Sequence, residues 1–373
     1  MKYALYSFST PDRRPVYLRT GPDTVRPQYA CRNLGDYIQE LAALRFLPRC
    51  DAIIDRDRLS GYSGAEELCI IGNGWYDLSD GRHCYSQLIR MCPVSIHQHG
   101  PDLSQAPRLT AWLRRLGGTL PHGVGCRDLY TMELFRRHGI PAYFSSCLTT
   151  TIDLGQLEEK VRRLFRQFQR HQKPSADYLE LRSRLQDLMR PLEHGHYLVT
   201  CDVSMAGMYN AAGWFVPEHA GHVATGWHHH AWALRRLRTL LAPYHTYPAV
   251  RLTHCISSQL TPWEGLATAY EVLRIYSHAA LVVTSRLHAA LPCLALGTPV
   301  LLLGERFDTR TRTYCDQNMV NFMEIETLSE HCDMQEGKKI VNPGKFRAYA
   351  EQLVATCTAF VQNTGSMPTP RPA

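Results

Sequence analysis

Residues 279–303, AALVVTSRLHAALPCLALGTPVLLL, decide the fold. Ala279 to Val283 is a short apolar run ending in β-branched residues, the pattern of a strand buried on both faces of a parallel sheet. Leu287 to Leu296 has helical length and is apolar almost all round, which predicts a deeply buried helix. Gly297-Thr298-Pro299 stops it in the order of a helix C-terminus. Val300 to Leu303 is a second apolar run. Strand, helix, strand is one crossover of a doubly wound α/β sheet. Thr284 to Arg286 then fall at the carboxyl end of a strand where a helix begins, the place at which open α/β sheets bind ligands. A helix N-terminus also favours anions, through its N–H groups and dipole. Arg286 and His288 therefore read as an anion site. The alternative is a structural arginine capping a domain interface.

The same alternation extends outward in both directions. Towards the N-terminus of this half, Tyr197 to Thr200 is a strand leading to Cys201-Asp202, Trp232 to Leu241 a helix with a basic face, Val250 to Cys255 a strand and Gly265 to Tyr276 a helix. In the first half, Tyr3–Phe8, Ala52–Ile54, Leu68–Ile71, Pro93–His97, Gly123–Cys126 and Ile140–Phe144 are strand-like. Gly35–Leu47, Gln105–Leu116 and Leu129–His138 are helical. Polar residues collect after strands: Gly72-Asn73-Gly74, His97, Arg127 and Asp128. Gln156 to Arg190 differs. It is rich in Arg, Gln, Leu and Glu and broken at Lys173-Pro174, so it predicts two amphipathic helices joining two domains. Their arginines form a solvated face or, alternatively, a membrane-binding one.

The expected organisation is an α/β protein of two Rossmann-like domains with parallel sheets and an active site in the cleft between them. Residues 1–155 form the first domain, 156–192 the helical joint, 193–344 the second domain, 345–362 a terminal helix, and 363–373 a disordered Pro-, Ser- and Thr-rich tail.

Composition agrees. The chain has 373 residues, 45% hydrophobic and 20% charged, enough for two ordinary globular domains. A net charge of +7 is a mild basic excess. It is weak support for nucleic acid, which is not expected as a partner, and suits an anionic small molecule or an anionic membrane face. No run approaches the roughly 20 apolar residues of a membrane span, and the first residues turn charged at Asp12 to Arg14 without a signal-like apolar segment. Thirteen cysteines lie scattered without a CxxC pair, several within apolar runs. That is the usage of a reducing cytosol. The expected location is the cytoplasm, with contact at the inner face of a membrane as an extension.

The segment VVTSRLHAALPCLALGTPV (282–300) resembles the most distinctive part of the polysaccharide pyruvyl transferase family. NLGD (33–36), CIIGNGW (69–75), SIHQH (95–99) and GVGCRDLYTMELFRRHGIPAYFSSCLTTTID (123–153) resemble further family segments, in family order, although Asn73 stands where that family has a second glycine. The resemblance implies a GT-B-like fold and phosphoenolpyruvate as donor; no cofactor and no metal are expected. The reaction it implies places a pyruvate ketal across two hydroxyls of a sugar and releases phosphate. The acceptor is a glycan or a lipid-linked oligosaccharide.

That chemistry needs planar cations for a carboxylate and a phosphate, and an acid holding a proton near neutral pH. Arg286, with Ser285, is the first donor ligand. His288 is the general acid, or a phosphate ligand, or a core histidine. Arg127 is a second anion ligand unless it pairs with Asp128. Arg312 is a third candidate, chosen among Arg306, Arg310 and Arg312. Asp36 is a base for a sugar hydroxyl or an ordinary helix-start residue. Asn33, Gly35, Gly72, Asn73, Gly74 and His97 line the acceptor side, the glycines either admitting a ligand to the backbone or making a plain turn. Trp227 and Trp232 stack on a sugar or simply pack. GWHHHAW (226–232) lacks a second ligand cluster and does not read as a metal site. Two rival functions stay open: a glycosyltransferase using a nucleotide sugar, and a non-catalytic homologue binding an anionic sugar or phosphate. The absence of an acidic residue between Arg286 and Gly304 counts against the first, although Glu305 follows.

Overall fold

The computed structural model describes residues 1–8, 31–76, 86–98, 103, 107–118, 120–202, 235–304, 309–324, 330–331 and 337–364. Residues 226–232, 305, 306 and 365–373, on which several sequence expectations fall, lie outside this set. The chain divides into two compact units. The first comprises Met1–Leu181, Cys255–Glu271 and Arg347–Ala373, and the second Arg182–His254 and Val272–Phe346.

The strands of the first half are β1 (Lys2–Ser7), β2 (Cys31–Asn33), β3 (Ala52–Asp55), β4 (Leu68–Tyr76), β5 (Ile89–Gln98), β6 (Val124–Cys126) and β7 (Ala142–Phe144). Those of the second half are β8 (Leu198–Cys201), β9 (Ala249–Leu252), β10 (Cys255–Ser257), β11 (Leu281–Thr284), β12 (Val300–Gly304), β13 (Asn321–Glu324) and β14 (Glu330–His331). The first unit holds a sheet in the order β3-β1-β4-β5-β6-β7, parallel throughout. The second holds β9-β8-β11-β12-β13-β14, parallel except for the β14 edge. Numbered within its own sheet, each gives the order 2-1-3-4-5-6. Both are Rossmann-like, and in each the order reverses once: between β1 and β4, and between β8 and β11. The carboxyl ends of those strand pairs are where such sheets open a crevice.

Local chemistry sets the helix ends. Asn33 caps Leu34–Leu44, and Asp128 caps Leu129–Arg137 by accepting from the Thr131 N–H at 2.8 Å. The helix Leu287–Leu296 ends as predicted on Gly297 at φ 73°. Ala289 to Leu294 are buried there, packed between β11 and β12. Pro292 lies inside it and has no N–H to give to the carbonyl of His288 four residues earlier. Leu198, Leu281, Val283, Leu301, Leu303 and Met323 form the apolar heart of the second unit.

The structure departs from the sequence expectations at three places. The glycine-rich end expected after Ile71 is the middle of β4, which continues to Tyr76. Opposite it, Gly72 pairs with Pro93 and Gly74 with Ile96, so β5 carries an extra residue and Ser95 adopts φ 56°. Second, the strand expected over Val250–Cys255 is two strands. β9 joins the second sheet, whereas β10 runs antiparallel to β2 in the first unit. Third, the limits of the compact units are not those expected at 155/156 and 192/193. Residues 255–271 fall with the first unit because Trp263 sits among Phe165, Phe168 and Tyr178, its ring 5.8 Å from that of Phe165, and because Gly265 lies against the Tyr37 ring. A Cβ on Gly265 would stand 2.5 Å from Tyr37 Cζ, closer than any side chain tolerates. The terminal helix, Phe346–Asn363, belongs with the first unit from Arg347 onward. Among the described residues no helix is long and apolar enough to cross a membrane.

Candidate functional site

In the second unit, the reversal between β8 and β11 brings Cys201-Asp202 beside Thr284-Ser285-Arg286. Thr284 binds the two strand ends together, its hydroxyl donating to the Cys201 carbonyl at 2.8 Å and accepting from the Arg286 N–H at 2.9 Å. Arg286 is the N-cap residue of Leu287–Leu296 in an extended conformation, and its side chain does not cap the helix. Instead its Nε donates to Asp202 Oδ2 at 3.0 Å. Asp202 Oδ2 also accepts from the backbone N–H of His254 at 2.9 Å, and the Asp202 carbonyl accepts from the Ser285 hydroxyl. Arg286 is exposed, whereas His288, two residues further on, is half-buried.

His254 lies fully inside, its Nε2 2.9 Å from the Tyr276 hydroxyl. Burial pushes its imidazole down to about 4, a fall that Asp202 opposes and Arg286 reinforces. It is neutral at neutral pH. Arg312 is exposed on the helix Thr309–Asp316 and makes no hydrogen bond to these groups among the described residues.

The first unit carries a second polar assembly. Asn33 accepts from the Gly35 N–H at 3.0 Å and its Nδ2 donates to Asp36 Oδ1 at 3.4 Å. Gln39 donates to the same Asp36 oxygen at 3.2 Å and accepts from Arg127 Nη1 at 3.0 Å. Four residues singled out in the sequence, Asn33, Gly35, Asp36 and Arg127, are thus joined through one that was not, Gln39. Gly74 comes close to the same amide: a Cβ there would lie 3.7 Å from Gln39 Oε1. Arg127 is wholly buried. The carboxylate of neighbouring Asp128 is occupied by His97 Nδ1 at 2.7 Å and by the Thr131 N–H and hydroxyl. Burial raises the Asp128 carboxyl, but the His97 bond and charge, the Thr131 N–H and the Arg127 charge outweigh it and leave the group below its ordinary value.

Gly72 is explained by packing: a Cβ on it would stand 2.4 Å from Met91 Sδ. Asn73 is buried beside Glu40, whose Oε2 accepts from the Tyr6 N–H at 2.7 Å. Burial pushes the Glu40 carboxyl up to about 8; the Tyr6 N–H, Arg56 and Asn73 oppose the rise and Asp36 adds to it. Glu40 Oε1 and Asn73 Oδ1 are both buried without a hydrogen-bond partner of their own.

Asp202, His254, Gln39 and Glu40 were not legible as site residues. Asp202 gave the one usable signal, a carboxylate directly after a strand. Among the described residues no group of three or more His, Cys, Asp or Glu is placed to hold a metal ion.

No curated protein matches the chain. The family model described as polysaccharide pyruvyl transferase matches residues 232–305, which contain β11, the Ser285–His288 turn and the helix after it. Over this stretch the chain is thus similar to the polysaccharide pyruvyl transferase family, in agreement with the resemblance of residues 282–300.

Proposed function

We propose that the protein is a phosphoenolpyruvate-dependent pyruvyl transferase that forms a cyclic ketal on two hydroxyls of a sugar and releases phosphate. The observation that carries this reading is the Ser285-Arg286-Leu287-His288 turn, at the strand-order reversal of the second sheet and inside the family-matched segment. Arg286 grips the donor through the two amino groups that its Asp202 contact leaves over, and Ser285 and Arg312 assist. His288 gives its proton to the methylene carbon of the donor as one sugar hydroxyl adds to the neighbouring carbon. Phosphate then leaves, and the second hydroxyl closes the ring. Of the two hydroxyl protons, one restores His288 and the other leaves with phosphate or a base. Arg127 is the anion ligand proposed for the first unit, although its guanidinium is enclosed and bound to Gln39.

The acceptor, a glycan or lipid-linked oligosaccharide, is taken by the first unit. There Asp36, held by Asn33 and Gln39, serves as base, and Gly35, Gly74 and His97 border the sugar. Neither metal nor resident cofactor enters the reaction. The arginine-rich helices Leu154–Gln169 and Ala176–Met189 make peripheral contact with the cytoplasmic face of a membrane when the acceptor is lipid-linked.

The direct test incubates the full chain with phosphoenolpyruvate and a panel of glycans and follows free phosphate. Acceptor-dependent phosphate release is expected. A melting temperature raised by nucleotide sugars but not by phosphoenolpyruvate would contradict the reading and favour glycosyl transfer.

A further inference from the structure

We infer that Asp202 is a positioning residue: it fixes the plane of the Arg286 guanidinium and thereby makes the site prefer a ligand bearing both carboxylate and phosphate over phosphate alone. The inference rests on the reading of Arg286 as a donor ligand. Arg286 sits on an exposed stem and, by itself, samples many rotamers. Asp202 does not. Its N–H donates to the Leu252 carbonyl at 3.3 Å, its carbonyl accepts from the Ser285 hydroxyl, and its Oδ2 accepts from the His254 N–H. Two chain segments, Leu252–His254 and the turn at Ser285, thus hold Asp202, whose side chain is 14% exposed against 46% for Arg286. Its backbone has φ 43°, a left-handed conformation that costs a non-glycine residue energy and persists where the surroundings enforce it.

The contact itself is directional. With Nε on Asp202 Oδ2 at 3.0 Å, the guanidinium plane is set. Among the described residues its two terminal amino groups make no hydrogen bond to protein, so they remain as a parallel pair for an anion. A carboxylate beside an anion site also repels the ligand, most strongly the ligand of highest charge. If Asp202 were merely a charge, removing it would favour phosphoenolpyruvate over inorganic phosphate. A positioning role predicts the reverse, because a freed guanidinium still meets a compact phosphate but no longer matches two groups at a fixed separation.

The experiment measures dissociation constants of phosphoenolpyruvate and inorganic phosphate for the full chain by calorimetry, with thermal melting alongside. Asp202→Ala removes the oxygen that Arg286 Nε and the His254 N–H share. Asp202→Glu keeps the charge and displaces it by one methylene, and serves alone should the first variant melt too low. In both, preference for phosphoenolpyruvate over phosphate is expected to fall by about tenfold. In Asp202→Ala/Arg286→Lys it should equal that of Arg286→Lys alone. An unchanged or increased preference in Asp202→Ala and Asp202→Glu overturns the inference, as does a further fall in the double variant. Wild-type phosphoenolpyruvate affinity in Arg286→Lys, by contrast, would remove the underlying reading of Arg286.

Discussion

Glu40 carries a proton at neutral pH because its carboxyl, ordinarily at 4.5, is pushed up to about 8 inside the first unit. The unfolded chain ionises it near 4.5, so between pH 4.5 and 8 the native state binds one more proton, and stability from this group is lost as pH rises through that window. Glu40→Gln keeps the shape and the acceptor for the Tyr6 N–H. It should leave stability nearly unchanged below pH 4.5 and raise it progressively towards pH 8, by on the order of a few kcal/mol. Chemical denaturation at several pH values measures this, and a pH-independent difference would contradict it. For His288→Gln the expectation is retained donor binding with turnover reduced roughly 100-fold or more. Near-normal turnover would assign the proton to another group. At this scale Arg286 and His288 were legible because charge or polarity within an apolar run stands out. Gln39 and Glu40 were not, since polar residues on a helix look solvated until both faces prove buried. Asp202 and His254 were hidden for another reason. Their pairing depends on which strand ends adjoin, and sheet order is not written in any one segment.

Periodicity located the elements well where one environment governs a whole run. The helix over Leu287–Leu296 has the bounds its apolar pattern predicts, and β11 and β12 flank it. It located them poorly where neighbours decide. The Gly72–Gly74 stretch reads as a turn, yet pairing with β5 on one side holds it in the sheet. Thr253-His254 interrupts a run of strand-like residues because the His254 N–H turns to Asp202 and the chain then pairs with β2. The helix Pro262–His278 offers a test of that rearrangement. Trp263→Ala should cost about 3–5 kcal/mol and loosen Leu154–Gln169, whose Phe165 and Phe168 it contacts. Amide hydrogen exchange should show faster exchange in that helix, and an unchanged pattern would mean the aromatic cluster is not what holds it.

On the scale of the whole chain, two parallel sheets were foreseeable, since strand and helix signals alternate in both halves, whereas their common strand order was not. Nor was the discontinuous partition. The chain passes between units at Leu181–Arg182, His254–Cys255, Glu271–Val272 and Phe346–Arg347. Only the last of these points follows a breaker pair, Pro343-Gly344, and the first, third and fourth fall within helices regular in pattern. Residues 1–155 alone therefore lack β10, Trp263 and the terminal helix, and should show no cooperative melting. A sharp transition in that fragment would show the first sheet to be self-sufficient.

The account as a whole rests on a donor anion held at the Arg286 turn. Calorimetric titration of phosphoenolpyruvate into the full chain and into Arg286→Lys tests it most directly. Saturable binding to the wild type, weakened at least about tenfold in the variant, is the predicted result. Equal affinity in the two proteins, or none in the wild type, would contradict it.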